Sequence, residues 1–214
     1  MKNLKSKKSI IAVILSITLL FALCACGSDP PKPEITTDMV KTTAEADPMT
    51  LIFEIEKEKA IITGYAGDDE IISIPEKINE FDVVKINENA FLDNKNLRAI
   101  IIPDTVTEIG YSAFGNCENL EIFIAGKNLK AIREKAFKNC ISLREVILND
   151  GLKMIKNEAF ADCKNLPNIY IPATVDTIQN PFTQRNGNPA IIADVGSYAE
   201  FYASRNSFNY EVIY

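Results

Sequence analysis

The sequence of 214 residues contains no histidine and no tryptophan. Without histidine, neither a Ser-His-Asp nor a Cys-His catalytic centre can form, and histidine-liganded zinc sites are excluded. The formal net charge is -6, whereas a nucleic-acid-binding protein needs a basic face to replace phosphate counterions. The sequence also lacks a phosphate-cradling glycine loop and a calcium loop of alternating carboxylates. We therefore expect no cofactor, no metal site and no nucleic-acid partner.

The first 26 residues have the organisation of a targeting segment. Lys2, Lys5, Lys7 and Lys8 precede fourteen uncharged residues, 10–23. A basic region followed by such an apolar run is typical of a secretory signal peptide. The run is short for a membrane span, which needs about 20 residues.

The end of this segment, Leu23-Cys24-Ala25-Cys26, resembles the lipobox of bacterial lipoproteins. The resemblance implies cleavage before Cys26 and attachment of diacylglycerol to its sulfur, and two acyl chains anchor a protein stably. We predict that residues 1–26 are a lipoprotein signal peptide and that the protein is held on the extracytoplasmic face of the cell membrane. An ordinary signal peptide with incidental cysteines is the alternative.

Removing residues 1–26 takes away four of the 23 basic residues and none of the 29 acidic ones. The net charge then changes from -6 to -10, so an anionic membrane surface would repel the remaining chain and the lipid would have to hold it. Residues 27–49 contain Pro30, Pro31, Pro33 and Pro48 and no hydrophobic periodicity. This composition predicts an extended, semi-rigid tether.

A 23-residue repeat runs through most of the remaining chain. Phenylalanine, isoleucine, leucine and cysteine each recur with this period, and only the last phenylalanine departs from it, by one residue. The four columns are Phe91, Phe114, Phe137, Phe160 and Phe182; Ile86, Ile109, Ile132, Ile155 and Ile178; Leu97, Leu120, Leu143 and Leu166; and Cys117, Cys140 and Cys163. A single repeat cannot bury its own apolar side, so repeats of this length stack into a solenoid.

Each repeat begins with the strand signature of a leucine-rich repeat, as in Leu120-x-x-Phe123-x-Ala125. The unit 97–117 resembles the BspA-like repeats of bacterial surface antigens nearly residue for residue, including Pro103, Gly110 and Cys117. The resemblance implies a right-handed leucine-rich-repeat solenoid with short parallel β-strands and about five turns over residues 71–182. It also implies a general binding surface of the adhesin type.

Both ends of the repeat array read as caps, which an open solenoid needs. Within residues 50–70, the segments 51–55 and 60–65 predict a β-hairpin. Within residues 183–214, the pattern breaks at 183–189, and Ser197-x-x-Glu200 is then a capping box. We expect a helix from Tyr198 to about Arg205 and a last strand over 210–213.

Side chains alternate between the two faces of a strand. The pattern predicts that Ile100, Phe123, Val146 and Ile169 point into the core. It also predicts an exposed apolar stripe of outward residues, Ile101, Ile124, Ile147 and Tyr170, with Ile122 beside it. Contiguous exposed apolar patches often mark interaction sites, so these five residues are the candidate binding surface. The alternative is that β-branched residues simply suit a parallel ladder.

Three further expectations complete the interpretation. The cysteines at 117, 140 and 163 suit a buried core better than a metal site, because zinc needs four converging ligands. Carboxylates such as Asp104 and Glu108 are scattered over turns and do not form a recognisable catalytic pair. We therefore predict a monomeric, lipid-anchored, non-catalytic surface protein that binds a protein or a glycan. The alternatives are an assembly partner of another envelope protein and, as a minor possibility, a carboxylate-based glycan hydrolase.

Overall fold

The structure, a computed structural model, describes residues 50–182 and 188–214. The predicted signal peptide with Cys26 and the predicted tether lie outside the described residues, as does most of the interruption at 183–189. Within the described residues, no helix is long and apolar enough to cross a membrane.

Short β-strands and one helix build the described part of the chain. The strands are β1 (Leu51–Glu56), β2 (Lys59–Tyr65), β3 (Ile71–Ser73), β4 (Lys77–Ile78), β5 (Phe81–Ile86), β6 (Ala99–Ile101), β7 (Glu108–Ile109), β8 (Ile122–Ile124), β9 (Ala131–Ile132), β10 (Glu145–Ile147), β11 (Met154–Ile155), β12 (Asn168–Ile171), β13 (Thr177–Ile178), β14 (Ala190–Asp194) and β15 (Tyr210–Ile213). The helix, α1, spans Tyr198–Arg205 and lies between the last two strands.

The repeats form a solenoid in which a typical turn contributes one strand to each of two parallel ladders. The first ladder runs β3-β6-β8-β10, and β12-β14-β15 form a further parallel sheet. The second ladder contains β5-β7-β9-β11-β13. The register follows the sequence period, since Ile100 pairs with Phe123 and Phe123 pairs with Val146. The predicted leucine-rich-repeat solenoid is confirmed.

The solenoid has about seven turns, slightly more than the five or so that were predicted. The difference arises at the ends. The repeat pattern ends near Phe182, but β14 pairs in parallel with β12 and β15 pairs in parallel with β14. The C-terminal segment therefore adds strands to the stack although it has lost the 23-residue period.

The repeating apolar columns fill one continuous core. The predicted inward residues Ile100, Phe123, Val146 and Ile169 are all buried there. An aromatic spine runs the length of the core, with ring centroids of successive members 5.1–6.0 Å apart. Its members are Tyr65, Phe91, Phe114, Phe137, Phe160, Phe182 and Phe208. Stacked or edge-on aromatic pairs at these separations stabilise a core beyond simple area burial.

Two residues in each of the central turns adopt a left-handed backbone conformation. One column consists of Asp93, Asn116, Asn139 and Asp162, with φ between 58° and 62°. Asparagine and aspartate tolerate this conformation better than most residues. The first three members are also joined by side-chain hydrogen bonds, because Asn116 Nδ2 donates to Asp93 Oδ1 (2.9 Å) and Asn139 Nδ2 donates to Asn116 Oδ1 (3.1 Å). Each turn thus fixes the position of the next.

The three cysteines of the repeat are buried and free, as predicted. Each thiol donates to a backbone carbonyl of the preceding turn, at Sγ–O distances of 3.0–3.2 Å. Burial raises the pKa of Cys117 and of Cys163 to about 12. Protonated thiols in this setting serve as core side chains with a weak hydrogen bond.

Both predicted caps form. Strands β1 and β2 pair as an antiparallel hairpin at the first turn. Helix α1 begins after Ser197, whose Oγ accepts from the backbone N–H of Glu200 (3.2 Å), and the Glu200 carboxylate accepts from Gly196 N–H (2.7 Å). The helix buries Ala199, Tyr202 and Ala203 against the end of the core.

The aromatic spine predicts where the fold is most sensitive. Phe137 lies between Phe114 (5.1 Å) and Phe160 (5.2 Å) and is fully buried. Phe137→Ala should lower the free energy of unfolding by about 3–5 kcal/mol, because it leaves a cavity in the stack. The matched control is Phe201→Ala, whose ring is 52% exposed and should cost about 0.5 kcal/mol. Denaturant unfolding of the protein without residues 1–26 measures both, and equal losses would contradict a central role for the spine.

Candidate binding surface

The five predicted stripe residues do lie on one face of the first ladder and its continuation, but they are not exposed. Ile101, Ile122, Ile124, Ile147 and Tyr170 retain between 2% and 9% of their accessible surface. The prediction of an exposed apolar stripe is therefore wrong. Whether these residues bind a ligand stays a prediction.

Side-chain packing accounts for the lost exposure. The isoleucines at 101, 124 and 147 form an apolar cluster with Ala99 and Ile122 of the neighbouring column, and Ile71 packs against it. This strand-face cluster is separate from the main core. Tyr170 is held differently, since its hydroxyl donates to the Asp194 carboxylate at 2.7 Å.

One carboxylate interrupts the strand-face cluster. Glu145 occupies the column of Ala99 and Ile122, and its strand β10 pairs with β8 so that Glu145 lies opposite Ile122. Both Glu145 carboxylate oxygens are buried, and among residues 50–182 and 188–214 they have no hydrogen-bond partner. Burial raises the pKa of Glu145, and the charge of Arg144 offsets only part of this effect. An unpartnered buried carboxylate is costly to keep ionised, so its presence on this face is a liability for stability.

A polar groove of about 330 Å³ lies at the N-terminal ends of the ladder strands. Its lining residues come from four successive turns and directly precede β3, β6, β8 and β10 in the chain. They are Asp68, Glu70, Lys95, Asn96, Arg98, Asn119, Glu121 and Ser142. No lining residue is aromatic or aliphatic, so the groove offers hydrogen bonds and charges rather than an apolar floor.

Ion pairs between turns fix the walls of the groove. Glu121 accepts from Arg98 Nε (2.8 Å) on one side and from Arg144 Nη2 (3.1 Å) on the other. Burial alone would raise the pKa of Glu121, but the hydrogen bonds from the two arginines outweigh burial and lower it. Arg98 also approaches Glu70 (3.8 Å), and Lys95 pairs with Glu118 (2.8 Å). The charged groups of the groove are thus largely engaged with one another.

A column of neutral polar residues lies in the groove with free hydrogen-bonding groups. Asn96, Asn119 and Ser142 are spaced by 23 residues and occupy equivalent places in successive turns. Asn119 Nδ2 donates to the carbonyl of Lys95 (2.6 Å), which leaves its Oδ1 available. In the described part of the chain, the side-chain amide of Asn96 and the hydroxyl of Ser142 have no hydrogen-bond partner, whereas the backbone N–H of Asn96 donates to Asn94 Oδ1 (2.9 Å). The groove can therefore donate and accept hydrogen bonds once per turn.

The sequence interpretation did not identify this groove. The signal was present in the columns Asn96/Asn119/Ser142 and Arg98/Glu121/Arg144, which repeat with the same period as the core residues. Within residues 50–182 and 188–214, no group of three or more acidic or cysteine side chains is arranged to hold a metal ion.

Comparison with known families and structures places the fold. The profile of the BspA type leucine rich repeat region matches residues 70–187, with six copies of the repeat. A search of curated proteins finds no match.

Solved structures resemble the chain over about two thirds of its length. A leucine-rich repeat protein of T. pallidum is 24% identical, with a TM-score of 0.64, covering 70% of this chain and 71% of that chain. A leucine-rich cell surface protein from Faecalibacterium prausnitzii is 28% identical, with a TM-score of 0.54, and is matched over 67% of this chain and 43% of its own. A leucine-rich repeat protein from Bacteroides ovatus is 23% identical, with a TM-score of 0.54, over 68% and 48%. The chain thus spans less than half the length of the last two.

The buried carboxylate of Glu145 predicts a gain in stability on neutralisation. The folded protein raises the pKa of Glu145, so the folded state holds its proton more tightly than the unfolded state. Stability from this group is therefore complete below the unfolded pKa and falls as pH rises through the folded value. Glu145→Gln should raise the free energy of unfolding by about 1 kcal/mol at pH 8 and leave it nearly unchanged at pH 4.

Glu121→Gln is the matched control, for which we expect the free energy of unfolding at pH 8 to change in the opposite direction. Its pKa is lowered in the folded state, so its contribution to stability is present at neutral pH and is lost as the solution is acidified. This variant should be less stable than the parent at pH 8, and the difference should shrink at low pH. Thermal unfolding at both pH values measures the two variants, and a destabilised Glu145→Gln at pH 8 would show that the carboxylate has a partner.

Proposed function

This chain belongs to the BspA-type leucine-rich repeat family, and on that basis we propose that it is a non-catalytic binding module of the cell surface. Its ligand is a protein or a glycan, and an N-terminal lipid on Cys26 holds it to the extracytoplasmic face of the membrane. The similar protein from Faecalibacterium prausnitzii is described as a cell surface protein, which supports the location.

The polar groove is the observation that carries the binding role. It crosses four turns, its ion pairs hold the walls in place, and it presents unpaired hydrogen-bonding groups at regular intervals. Solenoids commonly bind through such extended surfaces, to which each turn contributes one or two side chains. The strand-face cluster, as packed, offers a ligand little surface, so the groove is the better candidate for the contact.

Lipid anchoring rests on the sequence around Cys26. The lipobox-like residues Leu23 and Ala25 precede this cysteine, and the charge of the remaining chain would not attract it to an anionic membrane. The proline-containing residues 27–49 would then separate the solenoid from the membrane surface.

Replacement of Cys26 tests the anchor. Cys26→Ser should move the protein from the membrane fraction to the soluble or secreted fraction, because no sulfur remains to receive the diacylglycerol. Fractionation followed by mass spectrometry of the N-terminal peptide measures the outcome. Cys24→Ser is the control and should leave the protein membrane-bound and acylated. If Cys26→Ser stays in the membrane with acyl chains attached, the assignment is wrong.

The groove as a binding surface has its own test. Protein without residues 1–26 is screened against a glycan array, host proteins and an envelope extract, and each captured ligand is measured again with Arg98→Gln. We expect at least a tenfold loss, because Arg98 lines the groove and positions Glu121. The matched control is Arg133→Gln, which removes an arginine paired with Glu108 (2.6 Å) away from the groove. Equal binding by both variants would contradict the role of the groove as the binding surface. A ligand found only in the envelope extract would favour a role in envelope assembly over a role in adhesion.

A further inference from the structure

We propose that the polar groove binds an extended, neutral, β-linked glycan chain, with about one sugar unit to each turn of the solenoid. This inference rests on the proposed binding function and names its ligand class.

The pitch of the solenoid is the first argument. Successive turns repeat at about 4.8 Å along a parallel ladder and at 5.1–5.2 Å between the ring centroids of Phe114, Phe137 and Phe160 in the core. This spacing is close to the length that one pyranose unit adds to an extended, equatorially linked glycan. An extended polypeptide advances by about 3.3 Å per residue instead, so its side chains would fall out of step with the turns. A β-linked glycan lying along the groove would meet the same kind of protein group at every unit.

The chemistry of the free groups is the second argument. The side-chain amide of Asn96, Asn119 Oδ1, the Ser142 hydroxyl and the Asp68 carboxylate have no hydrogen-bond partner in the described part of the chain, and all four residues line the groove. Amide, hydroxyl and carboxylate groups together both donate and accept hydrogen bonds. Sugar hydroxyl and acetamido groups have the same dual character, so the free groups of the groove complement them.

The charge of the groove disfavours strongly ionic ligands. Arg98 is engaged by Glu121 and Glu70, and Lys95 is engaged by Glu118 and by the carbonyl of Asn116 (3.0 Å). A sulfated or phosphorylated ligand would have to break these pairs to reach the cations. The carboxylate of Asp68 at one end would further repel an anion, which leaves a neutral chain as the best match.

The absence of apolar lining disfavours a protein partner. Protein–protein contacts are dominated by buried aromatic and arginine anchors in well-packed pockets. The eight lining residues include no aromatic or aliphatic side chain, and the one lining arginine already has two carboxylate neighbours. If a protein, and no glycan, is found to bind in this groove, our inference is overturned.

Titration with defined oligosaccharides tests the proposal. Protein without residues 1–26 is titrated with β-1,4-linked oligomers of N-acetylglucosamine and of glucose, from two to six units long, by isothermal calorimetry. Binding by at least one series should tighten with length up to about four units and then level off, because the groove crosses four turns. The α-1,4-linked glucose oligomers, which coil rather than extend, should bind at least tenfold more weakly than the better β-linked series.

Two asparagine variants provide the matched comparison. Asn119→Ala should weaken binding of the four-unit oligomer about fivefold, as expected for one hydrogen bond. Asn165→Ala removes the equivalent residue one turn further along the same column, outside the groove, and should leave binding unchanged.

The outcomes separate the inference from the proposed function. Length-independent binding, equal binding of α- and β-linked oligomers, or equal effects of the two asparagine variants would overturn the glycan proposal. If no oligosaccharide binds but a protein ligand is lost in Arg98→Gln, the inference fails and the binding function stands. If no ligand of any class is lost in Arg98→Gln, the proposed groove function fails as well.

Discussion

The structure depends on one constraint, which is that each turn must lie in register on the turn before it. Backbone hydrogen bonds of the two parallel ladders hold neighbouring turns about 4.8 Å apart, and the rings of the aromatic spine stack between them with centroids 5.1–5.2 Å apart in the centre of the array. The cysteine thiols and the asparagine column add hydrogen bonds that join equivalent positions of neighbouring turns. A slip of one residue would turn every inward side chain outward, so the register and the core are specified by the same residues.

The same register governs the surface charges. Residues 23 apart lie side by side, and like charges at such positions would destabilise the stack. Several columns alternate in sign instead, as in Arg98, Glu121 and Arg144, and opposite charges also meet in Lys95–Glu118 and Asp104–Lys127. Exposed pairs of this kind contribute little stability one by one. Their value lies in discrimination, because a shifted register would place unpaired or like charges together. Glu145 departs from this pattern, since its neighbour across the ladder is Ile122, and the columns Lys130/Lys153 and Arg133/Lys156 repeat a positive charge.

Sequence periodicity predicted the features that repeat from turn to turn, such as the core columns. It failed for features that depend on the surroundings of a side chain, such as its exposure to solvent. The columns of Phe, Ile, Leu and Cys identified the core correctly, and Ser197 and Glu200 located helix α1. The outward direction of Ile124 and Ile147 followed from alternation, but direction is not exposure, and tight packing of neighbouring columns removed the predicted apolar stripe. The last strand, β15, was predicted at its observed position. The second ladder and β14 were missed because strands of two residues, or strands outside the 23-residue period, leave almost no pattern in the sequence. The groove was missed because its residues attract attention only when adjacent turns are placed side by side.

The division between the strand face and the groove follows from how each set of residues is used. Side chains in the middle of a ladder strand have two neighbours at strand spacing, and in this protein those neighbours are apolar and close-packed. Residues that precede the strands have polar neighbours in the adjacent turns instead, and their remaining hydrogen-bonding groups line the groove. Because the parallel ladder β3-β6-β8-β10 fixes the distance between turns, it also fixes the interval at which Asn96, Asn119 and Ser142 present their polar groups. A polymer whose repeat matches the distance between turns gains a contact at every turn. A polymer with another repeat must leave some of these groups without a hydrogen bond, which costs binding free energy. This cost of mismatch gives a solenoid selectivity among polymers.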